Sequence, residues 1–204
     1  SREEPRNYCS RVCCANALKH ALHLKEINPW IRIYILYRDM MTYGFYETYY
    51  TRARKADVTF IQYQVTDKPQ VEANQKKVSV SVHEPLLDRP IQIEADLLVL
   101  ATGVIPNLPP ELAQTCGAAV GPDGFFQEAH VKLRPVDMAT EGIFVCGTAH
   151  SPKLLSETIS QAYAASARAI TFLAQADLTL SAVTAQVEAD KCASCLICVR
   201  SCPY

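Results

Sequence analysis

Four cysteines near the end of the chain have a spacing that suits metal binding. Cys192, Cys195, Cys198 and Cys202 follow the pattern C-x2-C-x2-C-x3-C, and Pro203 comes directly after the last of them. Gaps of two residues let three thiolates close around one face of an iron–sulfur cube, and so compact a run is typical of such sites. Zinc sites usually pair two C-x2-C units across a longer gap. The run therefore predicts a [4Fe–4S] cluster, with zinc as the alternative and with Cys202 binding either this cube or a neighbouring one.

A second group of cysteines, Cys9, Cys13 and Cys14, precedes an apolar pattern of helical spacing over residues 15–26. The pattern predicts a helix with Cys13 and Cys14 in its first turn. Free backbone amides there favour negative charge, including thiolates. These residues alone leave two interpretations open, metal ligation and buried structural cysteines. Cys116 and Cys146 lie outside both groups and are predicted to be structural.

Composition limits the kind of protein. The 204 residues are 49% hydrophobic and 20% charged, which is typical of a packed globular chain. A net charge of −1 gives no reason to expect nucleic acid as a partner. No apolar run is long enough to span a bilayer, and the first residues do not resemble a signal peptide. Cysteines clustered at tight spacings favour metal ligation in a reducing compartment, so we expect a cytoplasmic protein. Both ends of the chain are expected to be cut.

The first half of the chain has the pattern of mixed sheets. Residues 31–37 and 58–63 are rich in β-branched and aromatic side chains, and a short helix is predicted between them over residues 48–56. This arrangement predicts a parallel strand–helix–strand unit with both sheet faces covered. Three runs that alternate apolar and polar residues then predict an antiparallel meander with one solvated face: residues 71–73, 77–83 and 90–94.

In the second half, two apolar runs end in glycine. Residues 95–103 and 141–147 are predicted to be buried strands, with a proline-rich link over residues 105–110. An alanine-rich helix with a small-residue stripe is predicted over residues 157–175. A strand, a glycine and a helix N-terminus in sequence can receive a phosphate or an electron-rich ring edge.

Together these motifs resemble a known family. The two glycine-ended runs and the alanine-rich helix resemble the second half of flavoproteins with two dinucleotide-binding domains, such as thioredoxin reductase. The closer resemblance is to the A subunit of heterodisulfide reductase and its relatives in anaerobes. It spans essentially the whole chain and is carried by five further motifs in the family's order: residues 9–14, 37–39, 43–45, 128–135 and 146–150.

The resemblance implies an α/β fold with a parallel sheet and an antiparallel meander, belonging to a partial flavoprotein with two dinucleotide-binding domains. Residues 1–177 would be the C-terminal part of a thioredoxin-reductase-like FAD domain. Residues 178–204 would begin a ferredoxin-like module with [4Fe–4S] clusters. Cys9, Cys13 and Cys14 match three ligands of the cluster in the family's flavin domain, and the fourth is expected upstream of this chain.

The resemblance also implies flavin contacts. Gly147 and Thr148 would lie at the ribityl and pyrophosphate groups, although related flavoproteins usually have aspartate where this chain has Thr148. Gln161 and Ala162 would present backbone amides to the isoalloxazine ring at a helix start. The domain junction would be lined by Ala101, Thr102 and Gly103. The glycine-rich fingerprint for the adenosine half of FAD is absent from this sequence and is expected upstream, so the chain alone should hold FAD weakly.

The function implied is electron transfer between FAD and [4Fe–4S] clusters toward other redox subunits of a multisubunit complex, with electron bifurcation in some members. No residue is predicted to be a covalent catalyst, because the cofactors carry the chemistry. His130 and His150 are candidates for proton handling or are ordinary loop histidines. The alternatives are a quinone-linked subunit of a membrane-associated complex and a non-catalytic electron-transfer or docking module.

Overall fold

The computed structural model of the chain describes residues 2–73, 77–177 and 185–201. The chain forms two compact units, Ser1–Ile105 and Pro106–Tyr204. The break between them falls in the predicted proline-rich link. The predicted module boundary at residue 178 lies outside the described residues and stays a prediction. Within the described ranges, no helix has both the length and the apolar character needed to cross a bilayer.

The first unit begins with the predicted strand–helix–strand arrangement. Strands β1 and β2 pair in parallel, with Tyr34 opposite Thr59, which confirms the parallel connection. A 3-10 turn, Gly44–Tyr46, precedes the connecting helix. The helices are α1 (Cys13–Ile27) and α2 (Glu47–Lys55), and the strands are β1 (Tyr34–Tyr37) and β2 (Thr59–Gln62).

Apolar clusters cover both faces of this two-stranded sheet. On one face Leu18, Ala21 and Leu22 lie on one side of α1 because their spacing follows the helical repeat. They pack with Ala53 and Val58, and Ile35 of β1 contacts this group. On the other face Ile61 of β2 packs with Val80, Val82 and Ile93. The prediction that both faces are covered is confirmed.

The antiparallel meander is also confirmed. Strands β3 (Gln70–Ala73), β4 (Val78–Glu84) and β5 (Arg89–Ala95) form a sheet in that order, with both pairings antiparallel. Val80 and Val82 are buried while Ser81 between them is exposed, as expected for a sheet with one solvated face.

The predicted buried strand over residues 95–103 is not formed. Strand β5 ends at Ala95, and Leu97, Val99 and Leu100 after it are 76%, 75% and 74% exposed. Among the described residues this run gains no strand partner in either sheet and only a partial covering layer, since Leu98 alone packs against the cluster that contains Val80. Apolar composition predicts a buried strand only where both are supplied, so the prediction is wrong for this structure.

The second unit contains helices and short bridged loops within its described residues. Its helices are α3 (Pro110–Thr115), α4 (Leu155–Leu173) and α5 (Ile197–Ser201), with 3-10 turns at Gly147–Ala149 and Ala189–Lys191. The predicted strand over residues 141–147 is reduced to one antiparallel bridge between Asp137 and Phe144. Val145 nevertheless is buried, and its N–H donates to the carbonyl of Val136 at 2.8 Å. The backbone pairing around Phe144 is too short to form a strand.

Helix α4 begins two residues before its predicted start and buries none of its side chains. The predicted stripe is therefore not covered in the described residues: Ile159 and Ile170 are 48% and 59% exposed. The helix is anchored instead by an ion pair. Arg168 donates from Nη2 to Asp137 Oδ1 at 2.9 Å, and its Nε lies 3.2 Å from each oxygen of that carboxylate.

Asp137 is 2% exposed, and the guanidinium of Arg168 holds the pKa of its carboxyl below the ordinary aspartate value, outweighing the opposite effect of burial. Because the folded-state pKa is lowered, this stabilisation is complete above the ordinary pKa and is lost as pH falls through the lowered value. We expect Asp137→Asn to reduce the free energy of unfolding by about 1–3 kcal/mol at neutral pH. The difference from wild type should vanish in acid.

Urea unfolding of both proteins at neutral and at acid pH measures this difference. Glu188→Gln is the matched control in the same unit, because it breaks the exposed pair with Lys191, where Coulomb attraction contributes little. A pH-independent difference between Asp137→Asn and wild type would contradict the assigned role of the charge.

Candidate cofactor sites

The first candidate site is the start of α1. Cys13 and Cys14 occupy its first turn, as predicted, and Cys9 lies in the loop before it. All three side chains are partly buried. The first turn carries no acidic residue, so its free amides face no competing carboxylate on the same turn. This environment favours thiolates.

The two adjacent thiols share one hydrogen bond. Donation from the Cys14 thiol lowers the pKa of Cys13 to about 6, and the same bond together with burial raises the pKa of Cys14. The carbonyl oxygen of Asp39 lies 3.7 Å from Cys14 Sγ and is a second acceptor for that proton. One thiolate, at Cys13, is therefore available for metal ligation near neutral pH.

The loop before α1 also provides a backbone hydrogen-bond donor to the sulfur of Cys9. Arg11 has a left-handed backbone, with φ of 60°, and its N–H donates to Cys9 Sγ at 3.3 Å. Its guanidinium donates to the hydroxyl of Tyr43 at 2.7 Å and lies over that ring. Fully buried Ser10 accepts the N–H of Val104 at 2.9 Å, which fixes the loop to the rest of the unit. Hydrogen bonds to sulfur stabilise thiolates and the clusters they hold.

The second candidate site is the C-terminal cysteine run. Cys192 ends a 3-10 turn, Cys198 lies in α5, and Cys195 lies between them; all three are exposed. Ser194 and Leu196, on either side of Cys195, have φ of 53° and 60°. Left-handed residues turn successive N–H groups toward one side of the backbone, a conformation that recurs at iron–sulfur sites. Cys202 lies outside the described residues.

The donors at both cysteine groups are thiols, which are the ligands of iron–sulfur clusters. Among the described residues no three cysteine, histidine or carboxylate side chains lie close enough together to hold one metal ion. The thiol donors and the left-handed loop around Cys195 fit such a cluster.

The third candidate site is the turn at Gly147, in the second unit. Gly147 is buried, and its φ of 65° is left-handed. A Cβ there would approach Thr158 Cγ2 to 3.1 Å, so a side chain would crowd Thr158 as well as strain the left-handed backbone. The Gly147 N–H donates to Gln161 Oε1 at 2.8 Å, whereas Thr148 beside it is exposed. A close turn next to an exposed hydroxyl is a suitable lining for a flat cofactor.

Gln161 connects this turn to a polar network. Its Nε2 lies 3.1 Å from His150 Nδ1, and Lys153 Nζ lies 2.8 Å from the same nitrogen. On the other side of the ring, His150 Nε2 lies 2.6 Å from Glu128 Oε2. Burial alone would raise the pKa of Glu128, but the hydrogen bond from His150, a backbone hydrogen bond and the charge of Lys153 lower it. Residue type alone makes His150 a candidate, but no sequence pattern points to Glu128 or Lys153 as its partners.

The structure brings some of the predicted flavin residues together. In the second unit Gly147 bonds directly to Gln161, and Thr148 and Ala162 are their neighbours in sequence. In the first unit Ala101, Thr102 and Gly103 are exposed. The prediction that Gln161 and Ala162 offer free amides at a helix start is wrong, because α4 begins at Leu155 and only the first amides of a helix lack partners. Gln161 acts through its side chain instead.

His130 has a local role in its loop. Its Nδ1 accepts the backbone N–H groups of Lys132 and Leu133 at 3.2 and 3.1 Å. The ring therefore caps a turn, which favours the interpretation of an ordinary loop histidine.

Comparison with known proteins gives relatives across the whole chain, while no protein-family model matches it. A protein of Archaeoglobus profundus, named as similar to the A subunit of heterodisulfide reductase, is 39% identical, covering 100% of this chain and 29% of the relative. The iron-sulfur A subunit of the CoB–CoM heterodisulfide reductase of Methanocaldococcus jannaschii is 38% identical, covering 98% and 31%. The A subunit of the ferredoxin:CoB-CoM heterodisulfide reductase of Methanosarcina acetivorans is 36% identical, covering 100% and 25%.

These relatives confirm the resemblance predicted from the motifs. The chain spans less than a third of the length of each relative just described.

Proposed function

We propose that this chain is part of an iron–sulfur flavoprotein subunit. Over its whole length the chain is homologous to the A subunit of heterodisulfide reductase. The observation that carries this proposal is the loop around Cys195, in which exposed thiols alternate with left-handed residues. That conformation suits a cluster, and the names of the relatives describe oxidoreductase subunits, so the metal site is redox-active rather than structural.

Two clusters are proposed on this chain. Cys9, Cys13 and Cys14 provide three ligands of one [4Fe–4S] cluster, and the ferredoxin-like module provides those of another. The ligands of the second are Cys192, Cys195 and Cys198, and Cys202 binds either this cube or a neighbouring one. A bound cluster accepts and donates single electrons. The chain contributes the Cys13 thiolate, the first-turn amides of α1 and the Arg11 N–H bond to Cys9, all of which stabilise negative charge.

The Gly147 turn is the proposed flavin contact in the second unit, with Thr148, Gln161 and Ala162 beside it. Ala101, Thr102 and Gly103 are the proposed contacts from the first unit. A bound flavin exchanges electrons one or two at a time, which allows it to pass electrons to clusters. The chain's own part is to hold a compact turn with no side chain at Gly147 and a hydroxyl at Thr148 that can bond a ribityl hydroxyl.

The proposed partners are other redox subunits, since the names of the relatives identify them as subunits of heterodisulfide reductases. The eight cysteines in the described residues are all free thiols, which agrees with a reducing compartment such as the cytoplasm. No observation on this chain favours a quinone-linked subunit or a non-catalytic docking module.

Anaerobic reconstitution of the chain with iron and sulfide tests the cluster proposal. We expect iron and sulfide to bind in equal amounts and to give the electron paramagnetic resonance signal of a reduced cluster. Stoichiometric zinc with no iron would contradict the proposal. In a parallel titration, FAD should bind weakly, because the sequence contains no G-x-G-x-x-G fingerprint. Tight stoichiometric binding would contradict the expectation that the adenosine half is held elsewhere.

A further inference from the structure

The polar network around His150 has only one consistent pattern of donors and acceptors. The backbone N–H of Gly147 can only donate, so the side-chain atom of Gln161 that faces it must be the oxygen, at 2.8 Å. The amide nitrogen of Gln161 then faces His150 Nδ1 at 3.1 Å and also donates. Starting from a backbone group thus fixes the orientation of a side-chain amide.

The tautomer of His150 follows from the same reasoning. Lys153 Nζ, which can only donate, lies 2.8 Å from Nδ1, so two donors face this nitrogen and it must be an acceptor. The ring proton is therefore on Nε2, where Glu128 Oε2 accepts it at 2.6 Å. The side chains of His150 and Glu128 are 19% and 15% exposed, so water competes little for these bonds.

We propose that His150 is a positioning residue for the Gly147 turn. Held as the Nε2–H tautomer by Glu128 and Lys153, it fixes the carboxamide of Gln161 so that Oε1 caps the buried Gly147 N–H. The left-handed turn is then formed before any ligand arrives, which lowers the entropic cost of binding. The assignment of this turn to a flavin rests on the proposed function; the positioning of the turn by His150 does not.

The alternative ring state shows why the arrangement matters. A proton on Nδ1 would face two donors, Lys153 Nζ and Gln161 Nε2. If the carboxamide of Gln161 turned over to accept that proton, its NH2 group would face the Gly147 N–H and leave a buried amide without an acceptor. The geometry of the turn is thus coupled to the state of a side chain three residues further along the chain.

Nitrogen NMR of the ¹⁵N-labelled chain tests the tautomer without any substitution. We expect the His150 resonances of a neutral ring protonated at Nε2. A ring protonated at Nδ1 at neutral pH would overturn the proposal, even if every variant failed to fold.

Substitutions test the positioning itself. His150→Leu should speed hydrogen exchange of the Gly147 amide by about tenfold, the equivalent of one lost hydrogen bond. His150→Gln should restore protection, because glutamine also offers one donor and one acceptor. His130→Leu is the control, since within the part of the chain that the structure describes the His130 ring bonds to Lys132 and Leu133 and to no residue of the Gly147 turn. Unchanged protection of Gly147 in His150→Leu would overturn the proposal.

Titration with FMN, which contains the flavin ring and ribityl phosphate, separates the two proposals. If FMN binds wild type and His150→Gln but binds His150→Leu about tenfold more weakly, the turn is preorganised for flavin. If FMN binds none of them while the amide effects remain, positioning by His150 stands and the flavin assignment fails.

Discussion

Cys195→Ser is expected to remove the cluster bound by the C-terminal run. Cys195 lies between two residues with a left-handed backbone, Ser194 and Leu196, in the loop that is proposed to hold the cluster. A hydroxyl is a much poorer ligand for iron than a thiolate. After anaerobic reconstitution, iron and sulfide attributable to this run should fall to background, as measured by metal analysis and electron paramagnetic resonance.

Cys116→Ser is the matched control for this experiment. Cys116 is also in the second unit, is partly buried, and ends helix α3 outside both cysteine groups. It should retain the wild-type content of iron and sulfide. Equal iron in Cys195→Ser and wild type would show that Cys195 is not a ligand. Equal losses in both variants would point to a general loss of structure rather than to ligation.

Among substitutions in the first unit, Leu18→Ala should cause the largest loss of the free energy of unfolding. Leu18 of α1 is 0% exposed, and it packs with Leu22 of the same helix and with Ala53 and Val58. Truncating a leucine so completely enclosed typically costs about 2–5 kcal/mol, the sum of lost burial and a residual cavity. Since native proteins are stable by only about 5–15 kcal/mol, chemical denaturation should detect the change easily.

The same substitution should affect the cysteines on α1. Cys13 and Cys14 occupy the first turn of the helix that Leu18 anchors, so partial unfolding of α1 would disperse these ligands. Leu24→Ala is the control on the same helix, because Leu24 is 42% exposed and its truncation should cost far less. Equal destabilisation by the two variants would contradict the assigned core.

The elements with the strongest periodic patterns were predictable. Helix α1, the parallel pair β1–β2 and the meander β3–β5 each follow from spacings of three to four or of two residues, which the backbone geometry itself imposes. The apolar run over residues 97–100 was not predictable in this way. Its composition suggests burial, but burial requires a neighbouring layer, and in the described residues only Leu98 packs against one, while Leu97, Val99 and Leu100 stay exposed.

The sequence by itself determined the ligand types of the candidate clusters and their order, because the number of residues between Cys192, Cys195 and Cys198 is a property of the covalent chain. It also determined the helix that places Cys13 and Cys14 in a first turn. Only the tertiary structure decided that Glu128 meets His150, 22 positions away, and that Asp137 meets Arg168, 31 positions away. Such contacts depend on the path of the intervening chain, and no local pattern of residue types encodes that path.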